Sequence, residues 1–291
     1  RTADEQATLA YRLCTAGDGS YDFIKDDENL TSLPFSKFED RCDLVLEALR
    51  NAEKATGRKK LYLCNVTHSD MDHMLNRANR IKEHGGICMM MDVVTTGMAA
   101  VHTMRNKNPE LIIHAHRAMH SFMTRESGSG ISGTGELCGF SISMLTLAKM
   151  YRLLGVDSLH SGSPKAKMED YGESEEIARM LTTDHTESNP KFHTLGQEWF
   201  GKKRVMPVAS GGLHPGVFDK VYEKFGGDCY MQFGGGVLGH PDGAEGGAMA
   251  AIEARQCVSE GKTILEWVEE HRDGSLAKAV GIWGTEPKIV Y

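Results

Sequence analysis

Apolar positions fall into two alternating periods along this chain. Leu9 and Leu13 share one face of a helical stretch at 3–15, which Gly17 and Gly19 end. Phe38, Leu44, Val45, Ala48 and Leu49 form a second helical stripe, closed near Gly57. Further helices are predicted at 71–84, from Gly97 to 106, at 141–154, through Leu181, and at 218–225, 246–258, 263–271 and 275–281. Between them lie short apolar runs at 21–24, 61–64, 87–91, 111–115, 156–159, 205–208 and 230–233. Runs of this length, bounded by polar or glycine clusters, read as strands. The methionines of 87–91 read as core filling. The segment 126–140, rich in Gly and Ser, reads largely as loop, and 183–203 is polar and irregular.

Short strands alternating with helices predict parallel strands joined by helical crossovers. Almost every strand ends in a polar or Gly-rich cluster. That is the catalytic face of a (β/α)8 barrel, and the pattern favours a barrel over a doubly wound sheet, whose site concentrates at one crevice. The leading helix has no strand before it, so the expected fold is a TIM (β/α)8 barrel whose first strand lies upstream of Arg1. One unit is expected over 1–291, with 259–291 as a helical C-terminal extension.

Composition adds bounds. With 40% hydrophobic and 25% charged residues the chain can bury a sizeable core. A formal net charge of -7 gives no reason to expect nucleic acid as a partner, and no apolar run is long enough to span a membrane. Seven scattered cysteines without a CxxC pair suit a reducing, cytoplasmic compartment, and no signal peptide is visible.

Four stretches carry candidate chemistry. The first is Asp22-Phe23-Ile24-Lys25-Asp26-Asp27-Glu28-Asn29 at the end of the first strand. Alternate strand residues share a face, so Lys25 and Asp27 point the same way, and Glu28 joins them if the chain turns. Grouped carboxylates suit magnesium; a solvated acidic loop with a neutralising lysine is the plain alternative. The second is His114, His116, Arg117 and His120, with His160 at the next strand end. Histidines carry protons near neutral pH and arginine reaches anions, or these are structural strand ends. The third comprises Ser210, Gly211 and Gly212, and Gly234, Gly235 and Gly236, ending successive strands. Backbone amides there can cradle phosphate, or the glycines simply turn the chain. The fourth is the polar loop from Ser161, carrying Lys165 and Lys167. A lid of this kind can deliver a cation and exclude water; as surface lysines the two need no function.

Taken together, DFIKDDEN at 22–29, HRAMH at 116–120, SGG at 210–212 and QFGGGVLGHP at 232–241 resemble the catalytic barrel of ribulose-1,5-bisphosphate carboxylase/oxygenase (RuBisCO) large subunits. LTLAKMYRLLGVDSLHSG and ASGGLHPG look most like the archaeal form III branch. The resemblance runs over about residues 5–283. It implies a magnesium-dependent lyase that enolises ribulose 1,5-bisphosphate and adds CO2, giving two 3-phosphoglycerates, with O2 as a side substrate. It implies that Lys25 becomes a carbamate and binds magnesium with Asp27 and Glu28. It assigns proton transfers to His116, one phosphate to Arg117, His160 and Ser210, the other to Gly212, Gly234 and Gly235 beside Gly211, and stabilisation of the new carboxylate to Lys167. Assembly as a homodimer or ring of dimers is implied, with an N-terminal domain of a neighbouring subunit completing each site. This chain alone is therefore expected to be inactive.

Departures from the family pattern matter. Pro164, Ala166 and Asp170 stand in a lid that usually reads GTxxGKxEG. The link at 126–140 is longer than usual, and a KPK-like lysine of the first barrel strand lies outside this chain. Two other functions remain open: a RuBisCO-like enolase or isomerase on a phosphorylated sugar-like compound, and a degenerate scaffold.

Overall fold

The computed structural model describes residues 1–124, 141–163 and 172–286. Nine strands occur there: β1 (Phe23–Lys25), β2 (Leu61–Asn65), β3 (Cys88–Asp92), β4 (Ile112–His116), β5 (Ser158–Gly162), β6 (His185–Thr186), β7 (Gln197–Glu198), β8 (Met206–Ala209) and β9 (Tyr230–Met231). Seven form one sheet in the order β1-β2-β3-β4-β5-β8-β9, and every pairing in it is parallel. Spatial order follows chain order without reversal. A doubly wound sheet reverses at a switch point, so that alternative is excluded.

The sheet is curled. Six spacings of about 4.8 Å would hold the edges of a flat sheet about 29 Å apart. Yet the rings of Phe23 on β1 and Tyr230 on β9 lie 4.6 Å apart, centroid to centroid. Among the described residues β1 and β9 do not pair, so the sheet makes an open half-barrel and not a closed ring.

Period-two alternation sorts the strands into two faces. Leu63, Cys88 and Met90, with Phe23, Leu61 and Ile112, pack together on the inner face. Tyr62, Cys64, Met89, Met91, Ile113, Ala115 and Leu159 turn outward into the main core beneath the helices. Inner positions therefore include Lys25, His114, His116, Ser158 and His160. Helix boundaries follow local chemistry. Thr2 and Glu5 form a capping box for helix Ala3–Thr15. Gly57, at φ 67°, ends helix Phe38–Thr56 in the left-handed conformation.

The structure moves several predicted boundaries. β5 begins at Ser158 and runs to Gly162, later than the 156–159 expected. Gly155 caps the preceding helix, and polar Ser158 and His160 flank Leu159, which masks the apolar pattern. The segment 183–203 is not all irregular: β6 and β7 pair antiparallel in it, around a 3-10 turn at Pro190–Phe192. Its polar composition hid two-residue strands. Gly235–Leu238 is a helical turn. The loop expected at 126–140 and most of the lid, with Lys165 and Lys167, lie outside the described residues. Helices Ile264–Glu270 and Ser275–Trp283 pack through Ile264, Trp267 and Leu276 against Ala254 and Cys257 of helix Gly243–Ser259. No helix among the described residues is long and apolar enough to cross a membrane.

Candidate active site

At the C-terminal end of β1 the chain turns through Asp26, Asp27 and Glu28. Asp26 anchors this turn from behind. Its carboxylate accepts from Arg41 Nε at 3.0 Å, Tyr62 Oη at 2.5 Å and the Asn65 amide at 2.9 Å. The Arg41 and Asp26 side chains are 0% and 3% exposed. Burial first, then the Asp26 charge, raise the Tyr62 phenol well above its ordinary value, so it stays protonated and donates. Asp26 thus holds the loop through a buried, fully partnered carboxylate.

Lys25 points inward with a side chain only 10% exposed. Its ammonium donates to the Asp26 carbonyl at 2.5 Å and touches Met90 Sδ at 3.7 Å. Burial lowers the Lys25 pKa, against the opposing pull of Glu28, Asp26, Asp27 and Asp92. Glu28 Oε2 lies 4.0 Å from Lys25 Nζ and 3.5 Å from His116 Nε2. Asp27 is exposed, and its Oδ1 accepts from the Asn29 amide and side chain at 2.9 and 2.8 Å.

His116 ends β4. Its Nδ1 accepts from the Ala118 amide at 3.2 Å, which leaves the ring hydrogen on Nε2, toward Glu28. Asp92 Oδ1 lies 3.2 Å from the same Nδ1, yet this buried oxygen has no hydrogen-bond partner among the described residues. A proton arriving on Nδ1 would meet a carboxylate already in position. Asn65 ties the two sides together: its Nδ2 reaches Asp92 Oδ2 at 3.2 Å and the Glu28 carbonyl at 3.3 Å.

A second group lies at the ends of β4, β5 and β8. His160 Nε2 is 2.8 Å from His114 Nε2, and His160 Nδ1 is 2.8 Å from Ser210 Oγ. The His116 and His160 rings meet edge-on at 4.3 Å, so this group abuts the acidic corner. Burial pushes His114 and His160 well below the ordinary imidazole value, and the nearby positive charge of Lys25 adds to it. Arg117 crosses Gly162: a Cβ there would lie 2.9 Å from the guanidinium. Gly162 has φ 95°, a left-handed backbone that favours glycine.

The two glycine clusters adjoin. A Cβ on Gly236 would strike the Leu213 carbonyl and His214, whereas Gly211, Gly234 and Gly235 face open space. A cavity of about 840 Å³ brings Lys25, Asp27, Glu28, His114, Phe233 and Gly234 to one wall system. It runs along the unpaired edges of β1 and β9.

The structure thus brings together Lys25, Glu28, His116 and His160, with Ser210 hydrogen-bonded to His160. His120 turns to Thr124 Oγ1 at 2.9 Å. Sequence reading missed Asp26, Asn65 and Asp92 as parts of the site. Asp92 and Asn65 were visible only as strand ends, and nothing in their spacing pairs them.

Residues 2–283 match the family described as "Ribulose bisphosphate carboxylase large chain, catalytic domain". The chain belongs to this family. It is 43% identical to the ribulose bisphosphate carboxylase of Methanocaldococcus jannaschii over 282 residues, which is 96% of this chain and 62% of that protein. The dimeric archaeal RuBisCO of Hyperthermus butylicus matches in structure with TM-score 0.85 and 38% identity, over 98% of this chain and 63% of that one. The octameric RuBisCO of Pyrococcus horikoshii, solved with sulfate ion, matches with TM-score 0.82 and 35% identity, over 99% and 61%. This chain therefore spans somewhat over three fifths of the length of these RuBisCO relatives.

Proposed function

We propose that this chain supplies the catalytic barrel of a ribulose-bisphosphate carboxylase. The reaction enolises ribulose 1,5-bisphosphate, adds CO2 to the enediolate and cleaves the product to two 3-phosphoglycerates, with O2 competing for the same enediolate. The observation that carries this reading is a shared carboxylate oxygen. Glu28 Oε2 stands between the buried Lys25 amine and the His116 ring.

The residues fit magnesium in a particular way. Among the described residues, no group of three or more His, Cys, Asp or Glu side chains is ready to hold a metal. Asp27 and Glu28 offer hard oxygens, which magnesium prefers. Lys25 is a cation until it reacts. Burial lowers its pKa and so raises the share of neutral amine, whose nitrogen can attack CO2: an N–C bond forms, one C=O π bond opens, and the proton lost from the nitrogen goes to solvent water. The carbamate then adds oxygen ligands beside Asp27 and Glu28.

When bound, magnesium supplies Lewis acidity to the carbonyl and hydroxyl oxygens of the sugar. The chain's own residues divide the remaining work. Lys25, once carbamylated, would take the first proton from the sugar. His116 moves protons around C3, steadied by Asp92. Arg117, His160 and Ser210 hold one phosphate, and Gly212, Gly234 and Gly235, with Gly211 shaping the turn, hold the other. Lys167 stabilises the new carboxylate.

The open edges of β1 and β9 and the cavity between them support a further parallel strand that closes the barrel from upstream of Arg1. We extend the proposal to a homodimer or ring of dimers, completed by an N-terminal domain of a neighbouring subunit.

Labelled CO2 supplied to the complete protein with ribulose 1,5-bisphosphate tests the reading. Label in phosphoglycerate is expected. Turnover without labelled phosphoglycerate would instead identify an enolase or isomerase. No turnover and no magnesium-dependent carbamate on Lys25 would leave a scaffold. The isolated 291-residue chain is expected to be inactive, and robust turnover by it would sink the claim that a neighbouring subunit completes the site.

A further inference from the structure

Four side chains form one continuous line across three neighbouring strands. Ser158 Oγ lies 2.9 Å from His114 Nδ1, His114 Nε2 lies 2.8 Å from His160 Nε2, and His160 Nδ1 lies 2.8 Å from Ser210 Oγ. Strand register builds the line, since His114 on β4 pairs directly with Ser158 on β5. We propose that Ser158 and His114 are positioning residues that fix the hydrogen-bond direction of His160, so that the Ser210 hydroxyl is presented as a donor to a bound phosphate. The proposal rests on the reading of Ser210 as a phosphate ligand, with His160 acting on that phosphate through Ser210.

The direction follows from counting hydrogens. Two imidazole nitrogens 2.8 Å apart share a single hydrogen, so one donates and the other accepts. Both rings are buried, and burial favours their neutral forms. Each neutral ring carries one N–H. Only two arrangements of the line then remain.

In the first, Ser158 O–H donates to His114 Nδ1, His114 Nε2–H donates to His160 Nε2, and His160 Nδ1–H donates to Ser210 Oγ. The Ser210 hydrogen is left for a ligand. In the second, every donor reverses, and the hydrogen left over belongs to Ser158. Ser158 is 1% exposed, and His114 is the hydrogen-bond partner that its hydroxyl meets among the described residues. The second arrangement strands a buried hydroxyl hydrogen without an acceptor, which is the expensive kind of error. The first leaves the spare hydrogen on Ser210, which is only partly buried. The phosphate monoester dianion of a sugar bisphosphate offers acceptors alone on its free oxygens, so it selects the same arrangement. Interior packing and ligand chemistry agree on one direction.

The test uses the complete protein, labelled with 15N-histidine, and reads side-chain nitrogens by solid-state NMR with and without inorganic phosphate. With phosphate bound, His114 is expected to carry its hydrogen on Nε2 and His160 on Nδ1. His114 protonated on Nδ1 while phosphate is bound overturns the proposal and leaves the phosphate site standing. Phosphate that fails to bind overturns both. Ser158→Ala removes the donor at the far end. It is expected to abolish the single tautomer of His114 and to weaken phosphate binding about fivefold, the scale of one hydrogen bond. Ser158→Thr keeps the hydroxyl and is expected to restore both. Equal weakening in the two variants marks a packing effect and overturns the proposal.

Discussion

The end of β1 and the ends of β4, β5 and β8 solve opposite problems. At β1, charges are held from behind and left open in front. Asp26 is held by Arg41, Tyr62 and the Asn65 amide, while Glu28 keeps a side chain 40% exposed and the Lys25 amine meets a carbonyl, a thioether and a more distant carboxylate. At the histidine end, neutral groups are buried and consume one another's hydrogen bonds. On the proposed function, this open corner is the one that additions from outside would complete, CO2 on Lys25 and a cation on its neighbours. The histidine line is finished before any ligand arrives. One barrel rim combines an unfinished electrostatic site with a preorganised polar one.

Breaking the unfinished corner should have the largest effect. Lys25→Met in the complete protein removes the nitrogen that takes up CO2, and a carboxylase assay should fall by on the order of 10³-fold or more, several kcal/mol of transition-state stabilisation. Activity within tenfold of wild type would refute the carbamate role. Next comes the support behind it. Asp26→Ala strands a buried Arg41 guanidinium, and urea unfolding should show a loss of about 3–5 kcal/mol. A change under about 1 kcal/mol would mean that Arg41 finds other partners.

Asn65 sharpens the comparison, because it joins the acidic turn to Asp92. Asn65→Ala should weaken magnesium activation roughly 10–100-fold, the usual scale for groups that orient metal ligands, with a smaller effect on phosphate binding. Titration of activity against magnesium separates the two. A further expected effect is on stability against pH, and it belongs to the histidine line. His114 and His160 have folded pKa values well below the ordinary 6.5. Below 6.5 the unfolded chain binds protons that the folded chain refuses, so stability falls as pH drops, by up to about 1.4 kcal/mol per pH unit for each ring. Urea midpoints between pH 7 and pH 5 measure this, and His114→Gln should flatten the slope.

Much of this architecture was readable in the chain. Seven apolar runs separated by helical stripes gave the parallel strands, and the position of Lys25, Asp27 and Glu28 just after the first run gave the acidic corner. β5 was misjudged because its inner positions are polar: Ser158 and His160 point to a functional interior, and a strand with a polar inner face loses its apolar signature. The ribbon of β6 and β7 was missed for a simpler reason, since two-residue strands carry no period to detect.

Sequence alone determined the order of the sheet strands and that polar or glycine clusters follow them, because chain order and period-two alternation are local properties. It could not determine who touches whom across the rim. That the Asp26 carboxylate is buried against Arg41, that Asn65 bridges Glu28 and Asp92, and that Ser158 is tied to Ser210 through two histidines were decided by strand register and by curl. Those pairings join positions far apart in the chain, and only the packed sheet brings them within hydrogen-bond reach.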